Sequence, residues 1–500
     1  MARTSRFLAP LMTLALLLSS AALVLPPQQV LAANEVWDVR MEFTAIPTGG
    51  NWLEPNPLVF GSSATATTGF DGAPNDIVAP GAAPAPNDAY AYFTSSSSNC
   101  REERQPYLGP NPGDSLSWTL RLIADSAGAS SLNLDWGDIA SVASFPLDAS
   151  IVLSGGGQSI NMRTQQTATY SSGSNYTLTI TVTRLGTPDE VWVDDDWCET
   201  EATDGEVVGD GYVFGYNAFC GIQDGVDAIE ADSPDDGGTV NVLAGGYSAF
   251  NITEDDISVI GEDGAAVSTL GGYNWSPTLG ANYLAGVFAD NALIQNVEFS
   301  GVVFPSVTME VGVYCENTTG TVLEDLVIHD IQPSSGEDGY AIYVTGGNRT
   351  VDVVNPEIYG CYAAIYVDYD TVNVTGGSIR GGGTMASYNS VGIWAGEGAT
   401  ANVEGTEIYD CSDFGTQESE PGAAWDDVLG CGIYVEHTAA AYVTGCCDIH
   451  DNDVGILVEG MGAFSSDPGQ SGNGYLEANG NNIYDNRQWG VYYQIGYVLV

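Results

Sequence analysis

The chain has 500 residues and a formal net charge of −54, from 65 acidic residues against 11 arginines and no lysine. Such a charge repels nucleic acid and anionic lipid, and no basic stripe is present to bind either of them. We therefore exclude nucleic acid as a partner and explain the acidity by solubility in salty or calcium-bearing surroundings. The length allows two or three domains with cores of their own.

The first 32 residues have the pattern of a secretory signal peptide. Arg3 and Arg6 precede an apolar run over residues 7–25, and small residues follow near Ala32. The alternative, an uncleaved membrane anchor, is disfavoured by Pro10 and the serines within or beside the run. No later segment is apolar enough to span a bilayer. We expect a secreted or cell-surface protein without membrane insertion after signal removal.

Residues 34–185 alternate apolar and polar side chains in several short runs. Leu116, Trp118, Leu120 and Leu122 show the pattern, which recurs over residues 132–136 and 176–182. Strict alternation indicates strands with one buried face and one solvent-exposed face, so we expect an antiparallel β-sandwich. The Pro/Ala-rich loop at 69–86 resembles a loop in accessory β-sandwich modules of exported bacterial and archaeal proteins.

Residues 186–215 are predicted to be a linker and lead-in segment. They contain Asp194, Asp195 and Asp196, and clustered carboxylates are ligands for a hard cation such as calcium. The spacing of the three is not that of a regular calcium loop, and a solvated acidic surface is the simpler interpretation. No other cofactor is indicated.

A short amphipathic helix is predicted at 217–230, because Ile222, Val226 and Ile229 recur at i, i+4 and i+7. We expect these three side chains to face the structure that follows, with Asp224 and Asp227 outward.

From about residue 293 onward the chain repeats two short sequence motifs, each with one aliphatic residue that we expect to be buried and with Gly, Asp or Asn at its ends. The first motif centres on Ile328, Ile358, Ile379, Ile408, Ile449 and Ile483, and the second on Val313, Ile342, Ile365, Ile393, Ile433, Ile456 and Val491. A third motif, as at 372–374, 401–403 and 441–443, often closes the unit. Three strands per unit at spacings of 21 to 41 residues predict a parallel β-helix with the isoleucines stacked in internal columns.

Residues 203–500 resemble the pectate-lyase-like right-handed parallel β-helix superfamily. The resemblance lies in the order helix, short strand, Ala244-Gly245-Gly246-Tyr247 turn and strand ending at Gly261. It implies that the helix closes the open end of the solenoid, which would otherwise expose its apolar core. It implies little about activity, since the superfamily contains lyases, hydrolases, epimerases, adhesins and non-catalytic surface proteins. The chain stops at 497–500 in mid-pattern, so we expect further coils or domains, or an atypical cap.

Nine cysteines are present, and Cys198 and Cys220 bracket one segment and could pair. Cys361 and Cys411 follow the corners of equivalent strands. We interpret these two as stacked, buried and unbridged side chains.

Catalytic candidates are few. The superfamily's hydrolases carry Asn-Thr-Asp, Asp-Asp, Gly-His-Gly and Arg-Ile-Lys on adjacent coils, and its lyases an Arg or Lys base beside calcium-binding carboxylates. A chain without lysine cannot form Arg-Ile-Lys. Arg380 is the only arginine in the first outward column, and Asp368 and Asp410 are its candidate partners. The alternative is an exposed arginine stacked between two tyrosines.

A second outward column is aromatic in six of seven coils: Tyr314, Tyr343, Tyr366, Trp394, Tyr434 and Tyr492, with Leu457 as the exception. Coils about 4.8 Å apart would place these rings in a ladder. Sugars pack their C–H faces on such rings, so Tyr343, Tyr366, Trp394 and Tyr434 are candidate glycan-binding residues. The alternative is that tyrosines merely shield the strand faces.

The sequence therefore favours an exported, non-catalytic protein for adhesion or glycan recognition, with a polysaccharide or cell-surface glycan as partner. A polysaccharide lyase or glycoside hydrolase acting along the solenoid groove is the first alternative. A structural surface-layer or stalk component is the second.

Overall fold

The computed structural model describes residues 36–47, 57–78, 89–95, 98–124, 129–230, 237–268, 274–276, 281–301, 310–331, 339–381, 391–412, 430–459, 474–494 and 497–499. The predicted signal peptide and part of the 69–86 loop lie outside these ranges. Among these residues, helix is found at Asp196–Glu199 and Ile222–Glu230, with a 3₁₀ turn at Ile139–Ser141. Within these ranges no helix has the length and hydropathy needed to cross a membrane.

The N-terminal β domain contains eleven strands. In order of pairing they are Thr167–Ser171, Ala129–Asp135, Trp37–Pro47, Leu58–Ser62, Ser98–Gln105, Ala89–Ser95, Ser115–Ala124, Tyr176–Arg184, Ala149–Gly155 and Gln158–Asn161, with Ile77–Val78 beside Ser98–Gln105. The first half of Trp37–Pro47 pairs with Leu58–Ser62 and the second half with Ala129–Asp135, so this strand joins two sheets. One pairing, Leu58–Ser62 with Ser98–Gln105, is parallel rather than antiparallel as expected.

Alternation along these strands builds the domain's core as predicted. Leu116, Trp118, Leu120 and Leu122 are buried, as are Leu178, Ile180 and Val182 on the neighbouring strand, while the residues between them are more exposed. Burial of one face per strand supplies the hydrophobic stabilisation of the domain.

Three parallel sheets, one strand of each per coil, form the β-helix. Sheet 1 contains Ala218–Phe219, Glu190–Val193, Gly238–Val242, Ile257–Gly261, Leu293–Gln295, Thr321–Glu324, Thr350–Val354, Thr371–Thr375, Thr400–Glu404, Ala440–Thr444, Tyr475–Ala478 and Tyr497–Leu499. Sheet 2 contains Gly245–Tyr247, Ala265–Ser268, Glu298–Ser300, Val327–His329, Glu357–Tyr359, Ser378–Arg380, Glu407–Tyr409, Asp448–His450 and Asn482–Tyr484. Sheet 3 contains Phe250–Ile252, Ala281–Val287, Val311–Glu316, Tyr340–Thr345, Ala363–Asp368, Val391–Ala395, Cys431–Val435, Val454–Glu459 and Trp489–Gln494, and Asn274–Ser276 pairs with its second strand in antiparallel fashion.

The predicted isoleucine columns are confirmed. In sheet 2, Ile328, Ile358, Ile379, Ile408, Ile449 and Ile483 are successive register partners. In sheet 3, Ile342, Ile365, Ile393, Ile433 and Ile456 are successive partners. All are fully buried except Ile483, which is half-buried near the end of the described coils. One aliphatic side chain per strand thus fills the interior of each coil.

The Gly, Asp and Asn residues between the repeated motifs occur where the backbone needs a left-handed conformation. After sheet 2 the chain turns through residues with positive φ at Asp330, Gly360, Asp410, Asp451 and Asp485, between 50° and 71°. Such left-handed conformations are tolerated best by glycine and by Asn or Asp. The Gly and Asp residues at these five corners therefore suit the left-handed backbone of the turn.

Asparagine side chains, one buried and one half-buried, connect the last corners. Asn452 accepts a hydrogen bond from the Cys411 N–H at 2.9 Å and donates one to the Ile408 carbonyl at 3.1 Å. Asn486 does the same one coil later, for the Asn452 N–H and the Ile449 carbonyl. These side chains satisfy backbone groups that the bend leaves unpaired.

The capping helix is Ile222–Glu230, shorter than the predicted 217–230, because Ala218 and Phe219 pair with Trp192 and Val193 in sheet 1. Ile222, Val226 and Ile229 enter the core of the β-helix as expected, while Asp224 is exposed and Asp227 half-buried. A Cβ at Gly225 would meet the side chains of Val191, Val193 and Val240 at 3.0–3.2 Å, so a glycine allows the helix to approach closely.

The predicted linker needs a correction. Glu190–Val193, inside the 186–215 segment, is already a strand of sheet 1 and pairs in parallel with Gly238–Val242. Val191 and Val193 are fully buried against the capping helix, so the β-helix begins before residue 216.

The cysteines behave as predicted. Cys198 and Cys220 form a disulfide, which ties the lead-in segment to the start of the capping helix. Cys361 and Cys411 are buried and unbridged.

Candidate functional site on the outer face of sheet 3

The aromatic column forms a continuous ladder on the outside of sheet 3. Tyr314, Tyr343, Tyr366, Trp394 and Tyr434 are successive register partners, and we call this surface the ladder face. Ring centroids are 5.6, 4.9, 5.2 and 5.3 Å apart along the series. The ladder follows from the parallel register, which places equivalent residues of each coil one above the other.

The rings differ in orientation. Tyr343 lies within about 22° of parallel to both Tyr314 and Tyr366, so these faces are covered by the neighbouring ring. Trp394 breaks the stack, standing at 84° to Tyr366 and 59° to Tyr434. Its Nε1 donates a hydrogen bond to Glu436 Oε1 at 3.0 Å, which holds the indole in this orientation.

Burial along the ladder is uneven. Tyr314 and Tyr434 are 1% and 6% exposed, whereas Tyr343, Tyr366 and Trp394 are half-buried. An outer apolar cluster that contains Tyr362, Val391 and Tyr434 packs against Trp394. Of the four predicted glycan-binding residues, Tyr434 is therefore too buried to offer a ring face, and Trp394 has the face that is least covered by ring stacking.

A row of carboxylates borders the ladder face at the end of its strands. Glu316, Asp368, Glu436 and Glu459 occupy this edge, and Glu397 stands beside it at the next corner. Glu459 accepts a hydrogen bond from the Tyr434 hydroxyl, and Glu397 accepts one from the Tyr369 hydroxyl at 2.7 Å. The rings thus have polar edges that end in acidic groups.

Crowding of like charges perturbs these acids. Burial and the negative charges of Glu397 and Asp370 raise the pKa of Asp368 to about 6. Burial also raises the pKa of Glu436, and this effect outweighs the hydrogen bond from Trp394. The ionised forms are disfavoured because partial desolvation and neighbouring carboxylates both penalise negative charge.

A second ladder lies on the outer face of sheet 2. His329 stacks on Tyr359 with centroids 4.9 Å apart and ring planes 3° from parallel, and His450 lies between Tyr409 and Tyr484. His329 contacts Glu298 at 3.0 Å and Asp330 at 2.9 Å. Burial lowers its pKa, but the two hydrogen-bonded carboxylates outweigh burial and raise the pKa of His329 above 6.5. His450 is held in the same way by Glu407 and Asp451.

The predicted catalytic residues do not form one site. Arg380 is 57% exposed and lies 3.8 Å from Asp410, itself 45% exposed, on the outside of sheet 2. Its register neighbours are Tyr359 and Tyr409, which agrees with the alternative of an exposed arginine between tyrosines. Asp368 belongs to sheet 3. Arg380 therefore lacks the desolvated, carboxylate-framed surroundings that a base requires.

Asp194, Asp195 and Asp196 are brought together, with one oxygen of each within 4.8 Å of the others. Asp194 accepts the Asp196 N–H and Asp195 accepts the Gly246 N–H, both at 3.0 Å. Three hard oxygen donors fit a cation such as calcium. The same hydrogen bonds also give the two side chains a role in shaping the turn.

Sequence reasoning missed the carboxylates beside the ladder, apart from Asp368. A signal was present, because Asp368, Glu436 and Glu459 all stand two residues after the aromatic position of their strand. The hydrogen bonds that join Trp394 to Glu436 and Tyr434 to Glu459 link consecutive coils and become visible only in the register.

A comparison with protein-family models agrees with this fold. Residues 311–460 match a family model described as the right-handed beta helix region. This segment is a right-handed parallel β-helix. No curated protein sequence matches the chain.

Among solved structures, similar chains are catalytic domains of GH87 α-1,3-glucanases. One variant in complex with tetrasaccharides is 9% identical, covers 82% of this chain and 98% of its own, and has a TM-score of 0.26. The catalytic unit of the thermostable enzyme from Streptomyces thermodiastaticus strain HF3-3 is 12% identical, covers 75% and 91%, and has a TM-score of 0.13. Likeness at this level carries no argument about activity.

Proposed function

We propose that the chain is an exported, cell-surface or extracellular protein that binds a glycan on the ladder face. The observation that carries this proposal is the orientation of Trp394. Neither neighbouring ring stacks on the indole, and Glu436 fixes it through Nε1. A flat, preorganised aromatic surface with polar groups at its edge suits the C–H face of a sugar ring.

The surrounding residues support recognition rather than simple shielding of the sheet. Tyr343 and Tyr366 extend the apolar surface along the coil axis, and the carboxylates at the strand ends can accept hydrogen bonds from sugar hydroxyls. A row repeated coil by coil suits an extended chain of sugars. We favour adhesion or recognition without catalysis, because the arginine proposed as a base is solvent-exposed on another sheet.

The test is isothermal titration of the mature chain with a panel of neutral and amino-sugar oligosaccharides, repeated on Trp394→Ala. We expect the variant to lose about 1–2 kcal/mol of binding free energy, which is roughly 5- to 30-fold in Kd, with little change in melting temperature. Tyr409→Ala, in the ladder of sheet 2, is the matched control and should bind as the wild type does. A variant that loses stability while the wild type binds no sugar would favour the shielding role instead.

Hydrolysis of a glycan is a second candidate, favoured by one observation. Burial and the neighbouring carboxyl groups of Glu397 and Asp370 raise the pKa of Asp368 to about 6, and a carboxyl group whose pKa is raised in this way can act as the proton donor of a glycosidase. An assay for new reducing ends on the same panel tests it. Activity abolished in Asp368→Asn and retained in Asp410→Asn would support hydrolysis, whereas no reducing ends from any substrate would exclude it for that panel.

A further inference from the structure

One corner of the β-helix holds an exposed tyrosine in a left-handed backbone conformation. Tyr369 follows the sheet 3 strand Ala363–Asp368, has a φ of 58° and is 49% exposed. The left-handed region brings Cβ close to the following carbonyl oxygen, so it is unfavourable for a bulky side chain. The backbone is therefore strained at a residue whose ring lies outside the core of the β-helix.

The equivalent corners of neighbouring coils show that the turn does not require a tyrosine. Asn348, Tyr369, Gly398 and Thr438 each lie two residues before successive register partners of sheet 1, and their φ angles are between 58° and 69°. All four residues are exposed. Glycine and asparagine adopt this conformation most readily. Because a small residue would satisfy the turn, the aromatic side chain of Tyr369 needs another explanation.

The ring of Tyr369 is held in place by the next coil. Its hydroxyl donates a hydrogen bond to Glu397 Oε2 at 2.7 Å, and its backbone N–H donates one to the Glu397 carbonyl at 3.0 Å. A Cβ at Gly398 would lie 3.2 Å from Cδ1 of the tyrosine ring, so the glycine leaves room for the ring to lie over this corner. Tyr369 thus presents an exposed ring of fixed orientation with a carboxylate at its polar edge.

Trp394 on the ladder face is held in the same way. Its Nε1 donates to Glu436, also a carboxylate of the next coil. Trp394 and Glu397 belong to one coil and are three residues apart, which is a backbone separation of at most roughly 10 Å. Glu436 interacts electrostatically with the Tyr369 hydroxyl. The two tethered rings therefore border the same end of the sheet 3 strands.

Resting on the proposed glycan binding, we infer that Tyr369 forms a second sugar subsite, at the corner between sheets 3 and 1, for the same neutral glycan that packs on Trp394. An exposed aromatic ring can pack on the C–H face of a sugar, and Glu397 can accept hydrogen bonds from sugar hydroxyls. A short oligosaccharide can span the two rings. The bound chain then runs from Trp394 across the end of the strands to the corner.

The charge around Tyr369 selects against acidic sugars. Glu397, Asp368 and Glu436 all interact electrostatically with its hydroxyl, and the whole chain carries a net charge of −54. A polymer of uronic acids would be repelled by these groups. Neutral sugars avoid the repulsion and still use the carboxylates as hydrogen-bond acceptors.

Strain at Tyr369 separates a binding role from a structural one. Strained residues that the fold does not need are typical of functional positions. Tyr369→Asn places at this corner the residue type found at 348, which adopts the left-handed conformation more easily. We expect this variant to melt at the temperature of the wild type or above it, although it loses the ring.

The test compares short and long probes by isothermal titration. The probes are the dimers and hexamers of glucose, xylose, mannose and N-acetylglucosamine, with the hexamer of galacturonic acid as the acidic counterpart. We expect a neutral hexamer to bind the wild type more tightly than its dimer, because only the hexamer reaches both rings. Tyr369→Asn should lower the affinity for that hexamer about fivefold and leave the affinity for the dimer unchanged.

Two further variants serve as controls. Tyr442→Asn removes a tyrosine that is 38% exposed on the outer face of sheet 1, and it should bind both probes as the wild type does. Tyr369→Phe keeps the ring, removes the hydrogen bond to Glu397 and should retain most of the affinity for the hexamer. Equal losses in Tyr369→Phe and Tyr369→Asn would assign the effect to the corner rather than to the ring, and would overturn the inference. Unchanged hexamer binding in Tyr369→Asn would also overturn it.

Failure of the inference is distinguishable from failure of the proposed function. Equal affinities for dimer and hexamer, both reduced in Trp394→Ala, would support glycan binding and overturn the corner subsite. Tighter binding of the galacturonic acid hexamer than of every neutral hexamer would overturn the assignment to a neutral glycan. Absence of binding by all of the probes would overturn both the inference and the proposed function.

Discussion

Two ladders of rings run along the same β-helix, and they differ in the charged groups that surround them. On sheet 2 the histidines lie parallel to their tyrosine neighbours, and each contacts two carboxylates that raise its pKa. On sheet 3 the carboxylates meet aromatic rings and one another, and the pKa of Asp368 and of Glu436 is raised by burial and negative neighbours. The histidines of the first ladder thus have carboxylates of opposite charge beside them, whereas the carboxylates of the second have other carboxylates as neighbours.

The difference separates a structural surface from a candidate binding surface within one repeat. Both ladders arise from the same register, so the aromatic repeat alone does not indicate a ligand. Groups that remain crowded and poorly neutralised cost stability, and such groups are concentrated at functional sites. On this criterion we propose the outer face of sheet 3, rather than that of sheet 2, as the binding surface.

The largest effect should come from the interior that both ladders share. Ile408 is fully buried in the sheet 2 column, so Ile408→Asp places a carboxylate among aliphatic side chains. We expect a loss of at least about 4 kcal/mol or failure to fold. Thermal unfolding followed by circular dichroism measures it. Thr371→Asp, at an outward position of sheet 1 between Thr350 and Thr400, is the control. A folded Ile408→Asp with unchanged melting would contradict the register.

A smaller loss is expected at the corner of sheet 2. Asn452→Leu keeps the branched shape of the side chain, at a larger volume, but leaves the Cys411 N–H and the Ile408 carbonyl without their partners. Two unsatisfied buried groups should cost about 2–4 kcal/mol in denaturant unfolding. Asn482→Ala removes an exposed amide one coil later and should cost under about 0.5 kcal/mol. Equal effects of the two variants would argue against a buried amide ladder.

On the ladder face, by contrast, removing a charge should raise the stability of the protein. The pKa of Asp368 in the folded state, about 6, lies above its usual 3.8, so the folded state binds this proton more tightly and loses stability as the pH rises through 6. Asp368→Asn should therefore stabilise the protein near pH 8, by about 1–2 kcal/mol after allowance for solvent screening. The gain should vanish near pH 4. A destabilised variant at pH 8 would mean that the carboxylate is needed by the fold.

The smallest effect on stability should come from the histidines of sheet 2, and it should depend on pH. The folded-state pKa of His329 lies above 6.5, so its contribution is fully present below pH 6.5 and is lost as the pH rises through the folded-state value. His329→Gln should cost about 1 kcal/mol near pH 6 and almost nothing near pH 9. Melting curves at the two pH values decide the matter. A cost that is independent of pH would assign the effect to ring stacking on Tyr359.

The β-helix, its internal columns and its corners follow from the repeat pattern of the sequence. One aliphatic residue per short strand can be buried only if the strands stack in register, and the Gly, Asp and Asn residues supply the left-handed turns. The alternating N-terminal strands and the apolar face of the capping helix were determined in the same local way. These features depend on periodicity, which is visible in one dimension. The start of the β-helix could not be predicted in this way. The two valines at 191 and 193 are recognised as core residues only by their packing on the capping helix.

Contacts between coils determine which of the two outward columns forms the candidate site. Both outward columns are aromatic in sequence, but ring orientation depends on neighbours one coil away, separated by 21 to 41 residues. The 84° angle between the rings of Trp394 and Tyr366 and the crowding of Asp368 with Glu397 both arise between coils. The separation of Arg380 from Asp368 has the same origin, because consecutive strands of one coil face different sides. Local pattern therefore fixed the fold, and contacts between coils fixed the chemistry of its surface.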